Sequence, residues 1–218
     1  MGCEGDRRHW EQVFADDESV FGDEPSEIGR RAAETFREHG CRKVLELGCG
    51  QGRDTWHLVK EGFEVHAIDY SETGICQMEE TARCHGLDCK LTVHDALQPL
   101  PFPDGSFDAL YSHMFFTMRF SMDELEMMMA ECRRVLRPGG LHIYSVRNHD
   151  DEHYGRFTPR GPETWENPRG FVVRFFSREE VDHLASGWEL LDVMQFRESE
   201  PPRRKTLYGV TMRKPEGE

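Results

Sequence analysis

The sequence predicts an α/β fold: a mostly parallel seven-stranded sheet, helices on both of its faces, and a C-terminal antiparallel hairpin. Three observations predict it. From about residue 40 onward, short apolar runs alternate with helix-period segments, the pattern of strand–helix–strand units whose strands run parallel. The first apolar run breaks off into three glycines at alternate positions, Gly48, Gly50 and Gly52, which marks an unusual backbone turn at a strand end. The last two apolar runs, 188–196 and 205–213, lie too close together for a helical crossover, so they pair antiparallel.

The elements follow in order. Residues 44–47 are a first strand, and "GRDTWHLVKEG" is a helix stopped at Gly62. "EVHAID" (64–69) is a second strand. Ser71 then caps a helix that runs towards Gly86. "CKLTVHDA" is a third strand, and a proline-rich loop with a turn at Asp104 and Gly105 leads to a fourth from Phe107. Ser121 and Glu124 form a capping box. Behind it Leu125, Met128, Met129, Cys132, Val135 and Leu136 make one apolar helix face. "RPGG" stops that helix, and "LHIYSV" (141–146) is the fifth strand. From Arg147 to Arg174 the periodicity fades into a long polar loop, a length common for lids over functional sites. Ser177 and Glu180 form a second capping box, and Gly187 ends that helix. A Pro-Pro turn at Pro201 and Pro202 joins the last two strands.

The chain has 218 residues, of which 37% are apolar, the size of one domain with a proper core. Its net charge of -14 sets an unfavourable field for nucleic acid or an anionic membrane, so neither is expected as a partner. The short basic run Arg203, Arg204 and Lys205 reads as a solvated turn. Seven cysteines, an odd number without a CxxC pair, argue against a disulfide framework or a zinc site, and no metal is expected. The N-terminal segment is polar, Asp6 stands where myristoylation wants Ser or Thr, and no apolar run is long enough to cross a membrane. These features predict a cytoplasmic protein.

The glycines fall where ligands approach open α/β sheets, at the carboxyl ends of the strands. Asp69 ends the second strand about 20 residues on, the place of a carboxylate that accepts from both ribose hydroxyls. The ligand is therefore of nucleoside type. The spacing is GxGxG rather than the GxGxxG of dinucleotide folds, and no GxxxxGK[ST] phosphate loop is present.

These residues carry a resemblance. "VLELGCGQGRDTWHLVKEGFEVHAIDYSETGI" resembles the first motifs of class I S-adenosylmethionine-dependent methyltransferases. "HDALQPLPFPDGSFDALYSHM" is similar to their third and fourth strands, and "ECRRVLRPGGLHIYS" to their fifth. The likeness spans roughly residues 40–146, and "GCGQGRD" leans towards the small-molecule, tellurite-resistance or thiol-methylating branches. It implies a Rossmann-like sheet and S-adenosyl-L-methionine as cofactor. It further implies that Gly48, Cys49 and Gly50 approach the methionine part, that Glu46 holds its ammonium group, and that Asp69 binds the ribose with Tyr70 near the adenine. Asp95 and Ala96 would read the adenine amino group, and Ser112 with His113 would lie beside the methionine moiety. Plainer roles stay open: Asp69 as a turn residue, Asp95 as a loop cap, Asp54 as a helix cap, and Arg53 touching cofactor or substrate.

On this reading the chain is a single methyltransferase domain, 1–218. Residues 1–39 form an N-terminal helical cover, 40–146 the cofactor-binding core, 147–176 a lid insertion, and 177–218 the last helix and hairpin. The acceptor site falls to the cover and the lid. Trp10 and Phe14 are spaced to close over the cofactor or simply to pack. Arg147 and His153 are candidates to orient an anionic acceptor, and His149, His153 and Tyr154 are the candidate acid–base groups. Arg174 can turn either way. No Asn-Pro-Pro-Tyr-like motif and no basic nucleic-acid domain accompany the core. Their absence favours a small-molecule acceptor, with a protein acceptor, or cofactor binding without turnover, as the alternatives.

Overall fold

The computed structural model describes residues 3–168, 170–198 and 204–217. Two helices come first, α1 (Cys3–Asp16) and α2 (Glu27–Glu38). The chain then alternates β1 (Lys43–Leu47), α3 (Arg53–Lys60), β2 (Glu64–Asp69), α4 (Glu72–His85), β3 (Lys90–Val93), β4 (Phe107–His113), α5 (Met122–Val135) and β5 (Leu136–Arg147). After β5 come three short strands, β6 (Thr158–Gly161), β7 (Thr164–Glu166) and β8 (Val172–Arg174). Helix α6 (Arg178–Leu184) and strands β9 (Glu189–Glu198) and β10 (Lys205–Arg213) complete the chain.

Seven strands form one sheet in the order β3-β2-β1-β4-β5-β10-β9. Strands β1 to β5 pair in parallel, and β10 runs antiparallel to both β5 and β9. The chain steps outward from β1 to β3 and then returns to the other side of β1 with β4. The topological switch point therefore lies between β1 and β4, where such sheets open a crevice.

Burial explains why these segments became these elements. Val44, Leu45 and Leu47 on β1 are all buried, as expected of a central parallel strand covered on both faces. One apolar layer packs α2, α3 and α4 on the sheet through Phe36, Leu58 and Met78. The other packs α5 and α6 through Leu125, Met129 and Val181. Ser71 caps α4, and the capping boxes of Ser121 with Glu124 and Ser177 with Glu180 both form. Among the described residues no helix is long and apolar enough to cross a membrane.

Two boundaries differ from the sequence reading. "RPGG" does not separate helix from strand, because β5 begins at Leu136 directly after α5. The pairing with β4 shifts there, and a Cβ on Gly140 would lie 2.8 Å from the Arg137 carbonyl, so the glycine permits a bulge. Residues 147–176 are not a structureless loop. Strands β6, β7 and β8 form an antiparallel sheet of their own, with strands of three or four residues that are too short to show alternation in sequence. The Pro201 and Pro202 turn and Arg203 lie outside the described residues.

Candidate functional site

The carboxyl ends of the parallel strands open into a cleft of about 1330 Å³, larger than the ~300–1,000 Å³ of a pocket for one drug-sized ligand. The glycine loop forms its floor. Gly48, Gly50 and Gly52 have φ of 69°, 56° and 86°, in the left-handed region that side chains disfavour. At Gly48 a Cβ would also lie 2.6 Å from the ring of Phe115, and at Gly52 it would lie 2.7 Å from Trp56 and Met78. The loop folds over the end of β2: the amides of Gly48 and Cys49 both donate to the Ile68 carbonyl, at 2.9 and 3.2 Å.

Asp69 sits where the loop, β2 and α4 meet. One carboxylate oxygen accepts from the Gly50 amide and the other from the Ser71 amide, each at 2.9 Å. Burial raises its pKa and nearby Glu11 adds to the rise, against the opposing pull of those amides. Glu46 accepts from the Thr55 hydroxyl at 2.6 Å. Burial, with the charge of Asp54 next, pushes Glu46 up to about 8, so in the ligand-free protein it holds its proton at neutral pH.

Asp54, in the first turn of α3, ties the N-terminal cover to the core. It accepts from the Ser26 amide (2.7 Å), the Ser26 hydroxyl (2.8 Å) and the Tyr111 hydroxyl (2.7 Å). Burial would raise its pKa, but His113, Arg53 and these donors outweigh it and hold the group below its ordinary value. Asp54 thus bonds across to Ser26 at the start of α2 and to β4, while its own helix begins after Gly52 with no side-chain cap bond.

The residues singled out for the cofactor fall in two groups. Glu46, Gly48, Cys49 and Gly50 face the cleft from β1 and its loop, and Asp69, Tyr70, Asp95 and Ala96 face it from the ends of β2 and β3. Ser112 does not: it is fully buried within β4, and strand alternation turns its neighbour His113 to the cleft instead. Burial also drives the Cys49 thiol well above its ordinary pKa, which leaves it unreactive.

The residues singled out for the acceptor divide as well. Trp10, Arg147 and His153 line the cleft. The Arg147 guanidinium lies 2.6 Å from Asp151 and 2.8 Å from the His153 ring. His149 and Tyr154 are not among the residues that line the cleft. Their rings stack with centroids 4.1 Å apart, His149 pairs with Glu163 at 2.7 Å, and Tyr154 packs on Trp165 and Phe175. Ligand-type atoms of His149, Glu163 and Glu180 approach within 4.8 Å of one another, but Glu180 is engaged by Arg174 and by the Ser177 amide. Arg174 turns inward, with its guanidinium over the Phe176 ring.

Helix α1 roofs the cleft. His9 stacks on Phe171 of the β7–β8 turn, and Trp10 packs on Phe14, Phe21 and Phe171. Glu11 accepts from the Glu72 and Thr73 amides at the start of α4, at 2.7 and 3.1 Å. Phe171, which lines the cleft, was not legible as a site residue, because its ring partners His9 and Trp10 are distant in the chain. Lys205 overturns the reading of its basic run as a solvated turn. Its side chain is only 15% exposed and lies 3.4 Å from Glu198 and 3.2 Å from the Met114 sulfur.

Comparison with known proteins agrees with this architecture. Residues 44–140 match the family described as "Methyltransferase domain". A probable S-adenosylmethionine-dependent methyltransferase of Mycolicibacterium smegmatis is 34% identical over 160 residues, 72% of this chain and 56% of that protein. A tRNA N(3)-methylcytidine methyltransferase of Schizosaccharomyces pombe is 26% identical over 63% of this chain and 48% of its own length. The chain thus spans about half the length of these relatives. Among solved structures, the 1,6-didemethyltoxoflavin-N1-methyltransferase of Burkholderia thailandensis, crystallised with its substrate and S-adenosylhomocysteine, superposes with a TM-score of 0.69. It does so at 21% identity, over 96% of this chain and 87% of that one. By its matched domain and its sheet order, the chain belongs to the class I S-adenosylmethionine-dependent methyltransferases.

Proposed function

We propose that this chain transfers a methyl group from S-adenosylmethionine to a small-molecule acceptor. The observation that carries the reading is the Asp69 carboxylate, held by the Gly50 and Ser71 amides at the mouth of the glycine loop. The donor set fits the cofactor. A carboxylate oxygen that accepts one amide still has a lone pair for a ribose hydroxyl. The turn leaves no room for a Cβ at Gly48, so bare backbone lines the cleft there. Glu46, with a raised pKa in a buried setting, gains a counter-charge when an ammonium group arrives. The bound cofactor supplies an electrophilic methyl group on a sulfonium. The protein's part is to orient, to exclude water and to position the acceptor.

The roof of α1 and the Phe171 turn supports a small acceptor. The His9–Phe171 stack and the Trp10 contacts close one side of the cleft, so a folded macromolecule meets aromatic rings before it meets the glycine loop. His153 is the candidate base that lines the cleft, with Nδ1 turned to Arg147.

To test this reading, methyl-labelled S-adenosylmethionine is incubated with the protein and a cell extract, and the products are split by ultrafiltration. Protein-dependent label in the filtrate is the expected result. Label retained on protein or RNA would replace the small-molecule reading with a macromolecular acceptor. Label in neither fraction, with cofactor bound, would leave a silent binding protein.

Glu46 gives a second expectation. Its folded pKa of about 8 lies above the ordinary 4.5, so between those values the folded state holds a proton that the unfolded chain has lost. Its contribution to stability is full below 4.5 and is lost as pH rises through 8, at about 1.4 kcal/mol per pH unit. Denaturant titrations of the ligand-free protein at pH 5.5 and 7.5 are expected to show wild type losing more stability than Glu46→Gln. Equal losses would contradict the raised pKa.

A further inference from the structure

The cleft is divided in charge at the switch point. On the β1–β2–β3 side it meets carboxylates: Glu46, Asp69 and Asp95. On the β4–β5–β10 side it meets cations. Arg147 ends β5, Lys205 opens β10, Arg204 precedes it at the exposed rim, and Arg53 reaches in from the first turn of α3. The chain as a whole carries a charge of -14, so a cationic wall in this position runs against the global field and is locally arranged.

The counter-charges of Arg147 and Lys205 stand behind the wall, whereas Asp54, 3.7 Å from Arg53, lines the cleft itself. Asp151, which pairs with Arg147 at 2.6 Å, has a fully buried side chain and does not line the cleft. Glu198, which pairs with Lys205, does not line it either. Its other oxygen lies 3.0 Å from His113. Burial would raise the Glu198 pKa, but His113, Lys205 and Arg53 hold it down to about 2, so it is ionised and fixes the Lys205 ammonium in place. Burial depresses Lys205, and Arg147 and Arg53 press on it further. Arg147 and Arg53 thus act on Lys205 at one end of the cleft, and an entering anion relieves that repulsion.

We propose that this half of the cleft is the acceptor subsite, and that it binds an oxyanion of the acceptor, a carboxylate or phosphate, against Arg53, Arg147 and Lys205 with Arg204 at the rim. Calling the anion an acceptor rests on the methyltransferase reading above. The site itself does not. In that arrangement the negative group is held on one side of the switch point, and the acidic half is left to the cationic cofactor.

The test uses thermal unfolding with sodium acetate, sodium phosphate or sodium chloride at matched ionic strength, with and without S-adenosylhomocysteine. Wild type is expected to gain a saturable rise in midpoint with acetate or phosphate over chloride, and whichever acts at lower concentration identifies the anion preferred. Lys205→Gln and the exposed Arg204→Gln are expected to need about tenfold more anion for the same rise, with the response to S-adenosylhomocysteine kept. A wild-type midpoint that tracks chloride with both anions would overturn the proposal. So would an anion response that is equal in wild type and both variants. A missing response to S-adenosylhomocysteine would sink the methyltransferase reading instead, and the two failures are thereby told apart.

Discussion

Asp54→Ala is expected to lower the stability of the folded protein by about 3–5 kcal/mol, the cost of removing one partner from a buried charged network. The replaced carboxylate accepts from two groups of Ser26 and from Tyr111, and alanine would leave the Ser26 amide buried without that acceptor and the two hydroxyls with only each other, 3.2 Å apart. A domain of this kind has only ~5–15 kcal/mol in total, so the variant is expected to unfold at much lower denaturant concentration. The loss should have a defined pH dependence. The Asp54 pKa is held below its ordinary 3.8, so its contribution is full above that value and fades as pH falls through the lower folded value. Denaturant titrations at pH 7 and pH 3 are expected to show the gap between wild type and variant narrowing at the lower pH. A variant as stable as wild type at pH 7 would mean that Asp54 does not tie α2 to α3 and β4.

Asp69→Ala is expected to weaken binding of S-adenosylmethionine by about 1–3 kcal/mol, or roughly tenfold to more than a hundredfold, the worth of lost charge-assisted hydrogen bonds. Two effects combine. The ribose partner goes, and the Gly50 and Ser71 amides lose the acceptor that fixes the loop against α4. The loop has little slack, because a Cβ on Gly74 of α4 would lie 2.8 Å from the Gly50 carbonyl. Asp69→Asn retains an acceptor oxygen and is expected to fall between the two. Calorimetric titration of wild type and both variants provides the check, and equal affinities would remove Asp69 from the binding site.

The legible parts of the fold are those set by local signals. Capping residues Ser71, Ser121 and Ser177 marked three helix starts. The apolar run before Gly48 marked the central strand, and the close spacing of the last two runs marked the hairpin. Asp69 stood out by its place at the end of β2, about 20 residues past the glycine loop, and Glu46 through the family resemblance. The acceptor half had no such frame. Lys205 gains its meaning from Glu198 on the neighbouring strand and from Arg147 across the sheet, and neither pairing has a signature in sequence. Ser112 and His113 are adjacent in β4, and only the direction of the strand pleat decides which one faces the cleft. His149 and Tyr154 looked like chemistry because of their residue types. In the structure they stack on each other and contact Glu163 and Trp165, and neither lines the cleft.

The central claim is that the carboxylate-lined half of the cleft binds the cofactor. Its most direct test is a calorimetric titration of the ligand-free wild-type protein with S-adenosylhomocysteine. Saturable binding at one site per chain, weakened in Asp69→Ala and kept in Lys205→Gln, is the expected result. No binding by a folded wild-type protein, or binding lost with Lys205 and indifferent to Asp69, would contradict it.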